Sequence, residues 1–151
     1  MALLDNDTAC YDDTNSMAYK VNTSATVITK KEGISNTDRL DTFLFEVEVS
    51  DKLKELCSNS ISNGALFTLI DICSGVGLEC NDSLKRNSVS VTINMTHTGN
   101  TKPVVGDKFY IKSVSDSIVD NKGFATVSLY NNKLELFAKG DHIVFFFDNK
   151  P

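Results

Sequence analysis

Apolar residues recur along this chain at two different periods. From Gly64 to about Glu79, Leu66, Leu69, Ile70, Cys73 and Val76 fall at helical spacing, which predicts one long helix with an apolar face. Elsewhere the period is two. Ala25 to Thr29 is β-branched and strand-like, and Phe43 to Val49 places Phe45, Val47 and Val49 on one face with Glu46 and Glu48 on the other. Turn chemistry at Lys31-Glu32-Gly33 and Asn36-Thr37-Asp38 separates the two, so they read as a hairpin. Asp51 to Leu56 is expected as a short helical turn, and Cys57 to Ser62 as a polar loop. After a loop from Asn81 to Asn87 the pattern stays β. Ser88 to Met95 sets Val89, Val91, Ile93 and Met95 on one face; Asp107 to Val114, Phe124 to Tyr130 and Leu134 to Phe147 follow. Asn121-Lys122-Gly123 and Asn131-Asn132-Lys133 are hairpin turns. The order is hairpin, long helix, then a meander of about four strands. An α+β domain over residues 21–151, with a curled antiparallel sheet wrapped around one central helix, satisfies that order. Residues 1–20 are polar and acidic, and read as a tail or a short docking helix.

Composition narrows the function classes. The 151 residues suffice for one domain with a proper core, and 41% hydrophobic with 23% charged residues is ordinary for a globular protein. A net charge of −5 without a basic stripe argues against nucleic acid as a partner. Lys30-Lys31 and Lys85-Arg86 read as solvated turn charges. No apolar run reaches membrane-spanning length. The four cysteines form no CxxC pair, and no signal peptide is visible, so a disulfide framework is not expected. Asn-x-Ser/Thr sequons at Asn6, Asn22, Asn81 and Asn94 carry no weight without secretion. The expected compartment is the cytoplasm, with mitochondria not excluded. His97 and His142 lack the neighbours that a metal site or a Ser-His-Asp arrangement would need.

One carboxylate stands out. Asp71 lies between Ile70 and Ile72, on about the second turn of the predicted helix. An acid on an apolar helix face needs a hydrogen-bonding partner or a chemical use. It is either a structural carboxylate bonded within the fold or at a subunit interface, or a reacting group. Ser90 is either an outward-facing polar strand residue or a partner of that acid. Asn63 suits a helix N-cap. Gly75 and Gly77 weaken helix propensity and suggest the close approach of a strand or a second subunit.

The segment Asn63-Gly-Ala-Leu-Phe-Thr-Leu-Ile-Asp71 resembles the His-Gly-Gly-(x)n-Asp signature of phenylacetate-type acyl-CoA thioesterases, which have the hotdog fold. Ser88 to Thr96 looks like the strand that follows in that family, the loop Gly99 to Gly106 like its next turn, and Ala138-Lys-Gly-Asp-His142 like its closing strand motif. The resemblance covers roughly residues 25–147. It implies a hotdog fold and hydrolysis of a CoA thioester, with CoA entering as part of the substrate and no metal or other cofactor. It implies Asp71 as general base or nucleophile, commonly acting from the neighbouring subunit. Gly64 then belongs to the oxyanion turn with Asn63 beside it, Ser90 orients water, and Asn59 corresponds to an asparagine ahead of the helix. Thr98, Gly99, Asn100 and Lys102, with Asn121 and Lys122, fall where the family holds CoA. A homodimer or homotetramer is implied. The family His and first Gly are replaced here by Ser62 and Asn63. A second reading follows from that replacement: a weakened hotdog protein that binds acyl-CoA or a protein partner without efficient turnover.

Overall fold

A computed structural model describes residues 25–35 and 40–148. The expected tail over 1–20 and the Asn36-Thr37-Asp38 turn lie outside the described residues. The elements in chain order are β1 (Ala25–Ile28), β2 (Thr42–Glu48), α1 (Asn63–Asn81), β3 (Asn87–His97), β4 (Lys108–Val119), β5 (Lys122–Tyr130) and β6 (Leu136–Phe147). One antiparallel sheet of order β1-β2-β4-β5-β6-β3 curls around α1. This is the hotdog architecture. β1 and β2 pair as the expected hairpin, and β4, β5 and β6 form a meander. β3 does not start that meander. It crosses over to the far side of β6 and ends the sheet.

The core lies between α1 and the concave face of the sheet. Leu66, Leu69, Ile70 and Cys73 are fully buried against Phe45, Val47, Phe109, Ile111, Val127 and Phe137. Each large aliphatic side chain so buried contributes roughly 1.5–3 kcal/mol. Burial also pushes the Cys73 thiol far above its ordinary value. Val76, expected on this face, is only half-buried. Gly77 matches its expected packing role, since a Cβ there would stand 3.2 Å from the Phe43 ring. No strand comes close to Gly75: a Cβ there would meet nothing within 4 Å in this chain.

Several local expectations change. Asp51 to Leu56 forms turns and an isolated bridge from Lys54 to Ile61 rather than a helical turn, because Leu53 must turn inward to be buried. Arg86 is not a solvated turn charge. Its guanidinium bonds both oxygens of buried Asp82 and holds that carboxyl below the usual carboxylate range. The pair fixes the turn from α1 into β3.

β3 departs most from simple alternation. A bulge leaves Val91 without a partner between the pairs Ser90–Val144 and Thr92–Ile143. The extra residue reverses the phase. Val89 and Val91 are therefore exposed, at 52% and 61%, while Ile93 and Met95 pack on the core. The predicted single face of four apolar residues does not exist. Upstream of the bulge the inward positions go to Ser88 and Ser90, which bond residues of α1.

Candidate functional site

Asp71 is the ninth residue of α1, one turn later than expected, and faces β3. Its Oδ1 accepts a hydrogen bond from Ser90 Oγ at 2.6 Å. The outward reading of Ser90 is thereby overturned, because the Val91 bulge turns it toward the helix. His142, from β6, brings Nε2 to 2.8 Å from Ser90 Oγ and 3.6 Å from Asp71 Oδ1. On its other side Nδ1 lies 2.5 Å from Ser74 Oγ, and Ser74 in turn bonds the Ile70 carbonyl. The histidine side chain is 1% exposed and the aspartate 48%. A polar relay buried at Ser74 and His142 thus ends in a serine and a carboxylate open to solvent.

Proton counting, assigned from the hydrogen-bond network, narrows its states. A carbonyl only accepts, so the Ser74 proton goes to Ile70 and Nδ1 must donate to Ser74. A carboxylate also only accepts, so the Ser90 proton goes to Asp71 and Nε2 must donate to Ser90. All four contacts are hydrogen bonds together only when the ring is an imidazolium. Burial pulls the His142 pKa below its ordinary 6.5, and the Asp71 charge opposes that pull. A neutral ring has one proton to place. On Nδ1 it leaves Nε2 an acceptor, the Ser90 hydroxyl turns to Nε2, and Asp71 Oδ1 loses its capping bond; on Nε2 it keeps the Ser90–Asp71 bond, and the Ser74 hydroxyl turns from the Ile70 carbonyl to Nδ1.

The sequence-predicted residues fall into three groups. Asp71 and Ser90 are joined as above. Asn63 and Gly64 stand at the start of α1, eight residues or about 12 Å along the axis from Asp71. The N-cap is Ser62, not Asn63: its side chain accepts from Ala65 N–H and its carbonyl from Leu66 N–H. Asn63 is therefore an ordinary first helical residue, and its Oδ1 accepts from Lys102 Nζ at 3.2 Å. The Asn63 and Gly64 N–H groups, both on exposed residues, have no acceptor among the described residues. Two donors at the positive end of a helix dipole suit a developing oxyanion. Asn59 is exposed in the preceding loop, where its carbonyl accepts from Val105 N–H.

The residues expected near CoA divide between opposite ends of the sheet. Thr98 and Asn100 spend their side chains on the Leu136 carbonyl, and Gly99 supplies the left-handed turn between them at φ 93°. Lys102 pairs with Glu55 at 3.1 Å beside the helix start. Asn121 and Lys122 lie at the β4–β5 turn, against the other end of β6.

His142 was the residue that sequence reasoning missed. Its only signal was membership of the Ala138-Lys-Gly-Asp-His142 strand motif, and the long crossover of β3 hides its neighbours. Gly140 makes that approach close, since a Cβ there would stand 2.8 Å from the Asn94 carbonyl and 2.9 Å from Ile70. A groove of about 200 Å³ runs along α1 beside this cluster, lined by Asp71, Gly75, Glu79, Ser88, Ser90 and His142 with Ile72 and Val76. Among the described residues no helix is long and apolar enough to cross a membrane.

No protein-family model matches the sequence, and no curated protein matches it either. Solved structures do. Zebrafish thioesterase superfamily member 2 has a TM-score of 0.72 at 20% identity, covering 93% of this chain and 92% of that one. A hypothetical thioesterase from Streptococcus pneumoniae, solved with coenzyme A, has a TM-score of 0.70 at 16% identity, covering 89% and 94%. A Streptococcus mutans protein bound to acetyl-CoA has a TM-score of 0.65 at 16% identity, covering 82% and 100%. At these identities the shared property is the hotdog fold.

Proposed function

We propose that this chain is an acyl-CoA thioester hydrolase, working as a homodimer or a homotetramer of such dimers. The observation that carries the reading is the solvent-open Asp71 carboxylate joined to Ser90 and His142 beside a groove. The coenzyme A and acetyl-CoA held by structures of the same fold support the substrate class.

In this reading Asp71, in its open state, takes a proton from water as the water oxygen attacks the thioester carbonyl carbon. Ser90 orients that water. The oxyanion is held by the Asn63 and Gly64 N–H groups. The tetrahedral species then collapses, the C–S bond breaks, and the thiolate leaves and is protonated. The alternative, Asp71 attacking as a nucleophile, yields a mixed anhydride that water cleaves. Asp71 and its own helix start are about 12 Å apart, so the donors that serve it belong to a second copy. The exposed edge of β3, with Val89 and Val91 on its outer face, is where that copy would add. The CoA arm would lie near Lys102 and the Thr98–Asn100 loop, with Asn121 and Lys122 of the second copy as further contacts.

A panel of acyl-CoA thioesters tests the reading. Free thiol should be released by the wild type and hardly at all by Asp71→Ala; equal slowness of both on every acyl group sinks it. The second reading, binding without efficient turnover, is favoured by Ser62 serving as helix cap where the family carries histidine. Tight binding of acyl-CoA without thiol release supports it. A large gain in rate on placing His and Gly at positions 62 and 63 would show that the native site is compromised.

A further inference from the structure

Three residues of the groove lie on one line of α1: Asp71, Gly75 and Glu79, spaced four residues apart. They make a floor about 12 Å long from the reacting carboxylate to a second acid. Gly75 leaves the middle of that floor open, since a Cβ there would project into free space. Ile72 and Val76 give the flank an apolar surface. At the far end Glu79 is held in place by Ser88, whose N–H and hydroxyl both donate to Oε1, at 3.0 and 2.9 Å. Glu79 Oε2 has no hydrogen bond among the described residues.

Resting on the thioesterase reading above, we propose that this groove receives the acyl group. Glu79 is then its specificity-determining residue and selects acyl groups whose far end carries a hydroxyl. The direction follows from charge. The phosphate-bearing CoA arm is repelled by a carboxylate at the groove end, whereas Lys102 lies beside the helix start, which in the shared site is the second copy's and stands at the reacting end of the groove. The acyl arm is the one that fits between Asp71 and Glu79. Selection follows from hydrogen bonding. A methyl terminus strips water from Glu79 Oε2 and gives nothing back, while a hydroxyl replaces that water with a charge-assisted bond. Along the helix the middle of the acyl group meets the Gly75 backbone and the two aliphatic side chains, and the Ser88 and Ser90 hydroxyls of the facing wall are already committed to Glu79 and Asp71, so it needs no polar groups of its own.

The test compares ω-hydroxyacyl-CoA with plain acyl-CoA thioesters of equal length, from four to ten carbons, by kcat/KM. The wild type should favour the hydroxy member by about tenfold or more at the matching length. Glu79→Leu should abolish or reverse that preference, and Gly75→Leu should lower kcat/KM for both members by filling the floor. The same pairs are titrated by calorimetry into Asp71→Asn, which reads selection without turnover. A hydroxyl preference there that Glu79→Leu removes supports the inference even if no thioester is hydrolysed. Equal hydrolysis of both members at every length overturns the inference and leaves the thioesterase reading standing. Equal binding, or none, with no hydrolysis overturns both.

Discussion

Ser90 Oγ sits 2.6 Å from Asp71 Oδ1 because Val91 is an unpaired bulge residue. Without the bulge, Val89 would take the helix-facing position and Ser90 would point away from Asp71. Two variants follow. Ser90→Ala should lower kcat by about tenfold to a hundredfold with little change in KM, at the low end of what acid–base positioning contributes. Deleting Val91 should do more damage, because the residues before the bulge then turn over together. Steady-state kinetics on both, with circular dichroism to check folding, decides the matter. An active Val91 deletion would break the link between bulge and site.

The pH dependence should follow His142. In the proposed reaction the open carboxylate needs a neutral ring with its proton on Nδ1, so kcat/KM should rise with pH through a value below 6.5. His142→Asn should remove or displace that limb. Folding stability should move the same way. Between the folded and unfolded pKa values the unfolded chain binds the proton that the buried ring refuses. The contribution is therefore full above 6.5 and is lost as pH falls through the folded value. Urea midpoints at about pH 7.5 and about pH 5.5 should differ more for wild type than for His142→Asn. A ring that titrates above 6.5 by NMR contradicts the account.

Ser62 is predicted to matter for folding rather than chemistry. It accepts from Ala65 N–H as the cap of the helix on which the core is built. Ser62→Ala should cost about 1 kcal/mol. For a chain of this size that lowers the melting temperature by roughly 2–4 °C. Asn63→Ala should cost less, because Asn63 is not the cap and its one side-chain hydrogen bond among the described residues is to Lys102, on an exposed surface. Calorimetric melts that rank Asn63→Ala as the more damaging change would reverse the assignment.

Much of the fold was legible because it rests on period. The helix is set by Leu66, Leu69, Ile70 and Cys73, and β2 by Phe45 and Val47, whose spacing survives in the structure. The site was legible only in its first member. An acid among isoleucines is visible locally, but the company it keeps is not. Ser90 reaches it through a bulge that no alternation pattern announces. His142 reaches it because β3 leaves the meander to pair with β6. Ser62 displaced Asn63 as cap by a single residue, the usual resolution of boundary reasoning. Gly75 and Gly77 look alike in sequence and differ only in what stands opposite them, a void or the Phe43 ring.

Subunit sharing of the site gives the strictest test. Asp71 and the Asn63–Gly64 donors of one chain are separated by about 12 Å of helix. Gly64→Asp should disable the donors without harming the fold. A side chain there meets nothing within 4 Å, and an acid suits a helix start. Its carboxylate repels the developing oxyanion. Asp71→Asn disables the base. Each variant alone should be nearly inactive. In a heterodimer, the Gly64→Asp chain supplies its intact Asp71 to the intact donors of the Asp71→Asn chain, which restores one site of two. Random reassortment of equal amounts should therefore return about a quarter of wild-type activity. Mixtures that stay inactive after subunit exchange, verified by native mass spectrometry, would mean that base and donors act within one chain.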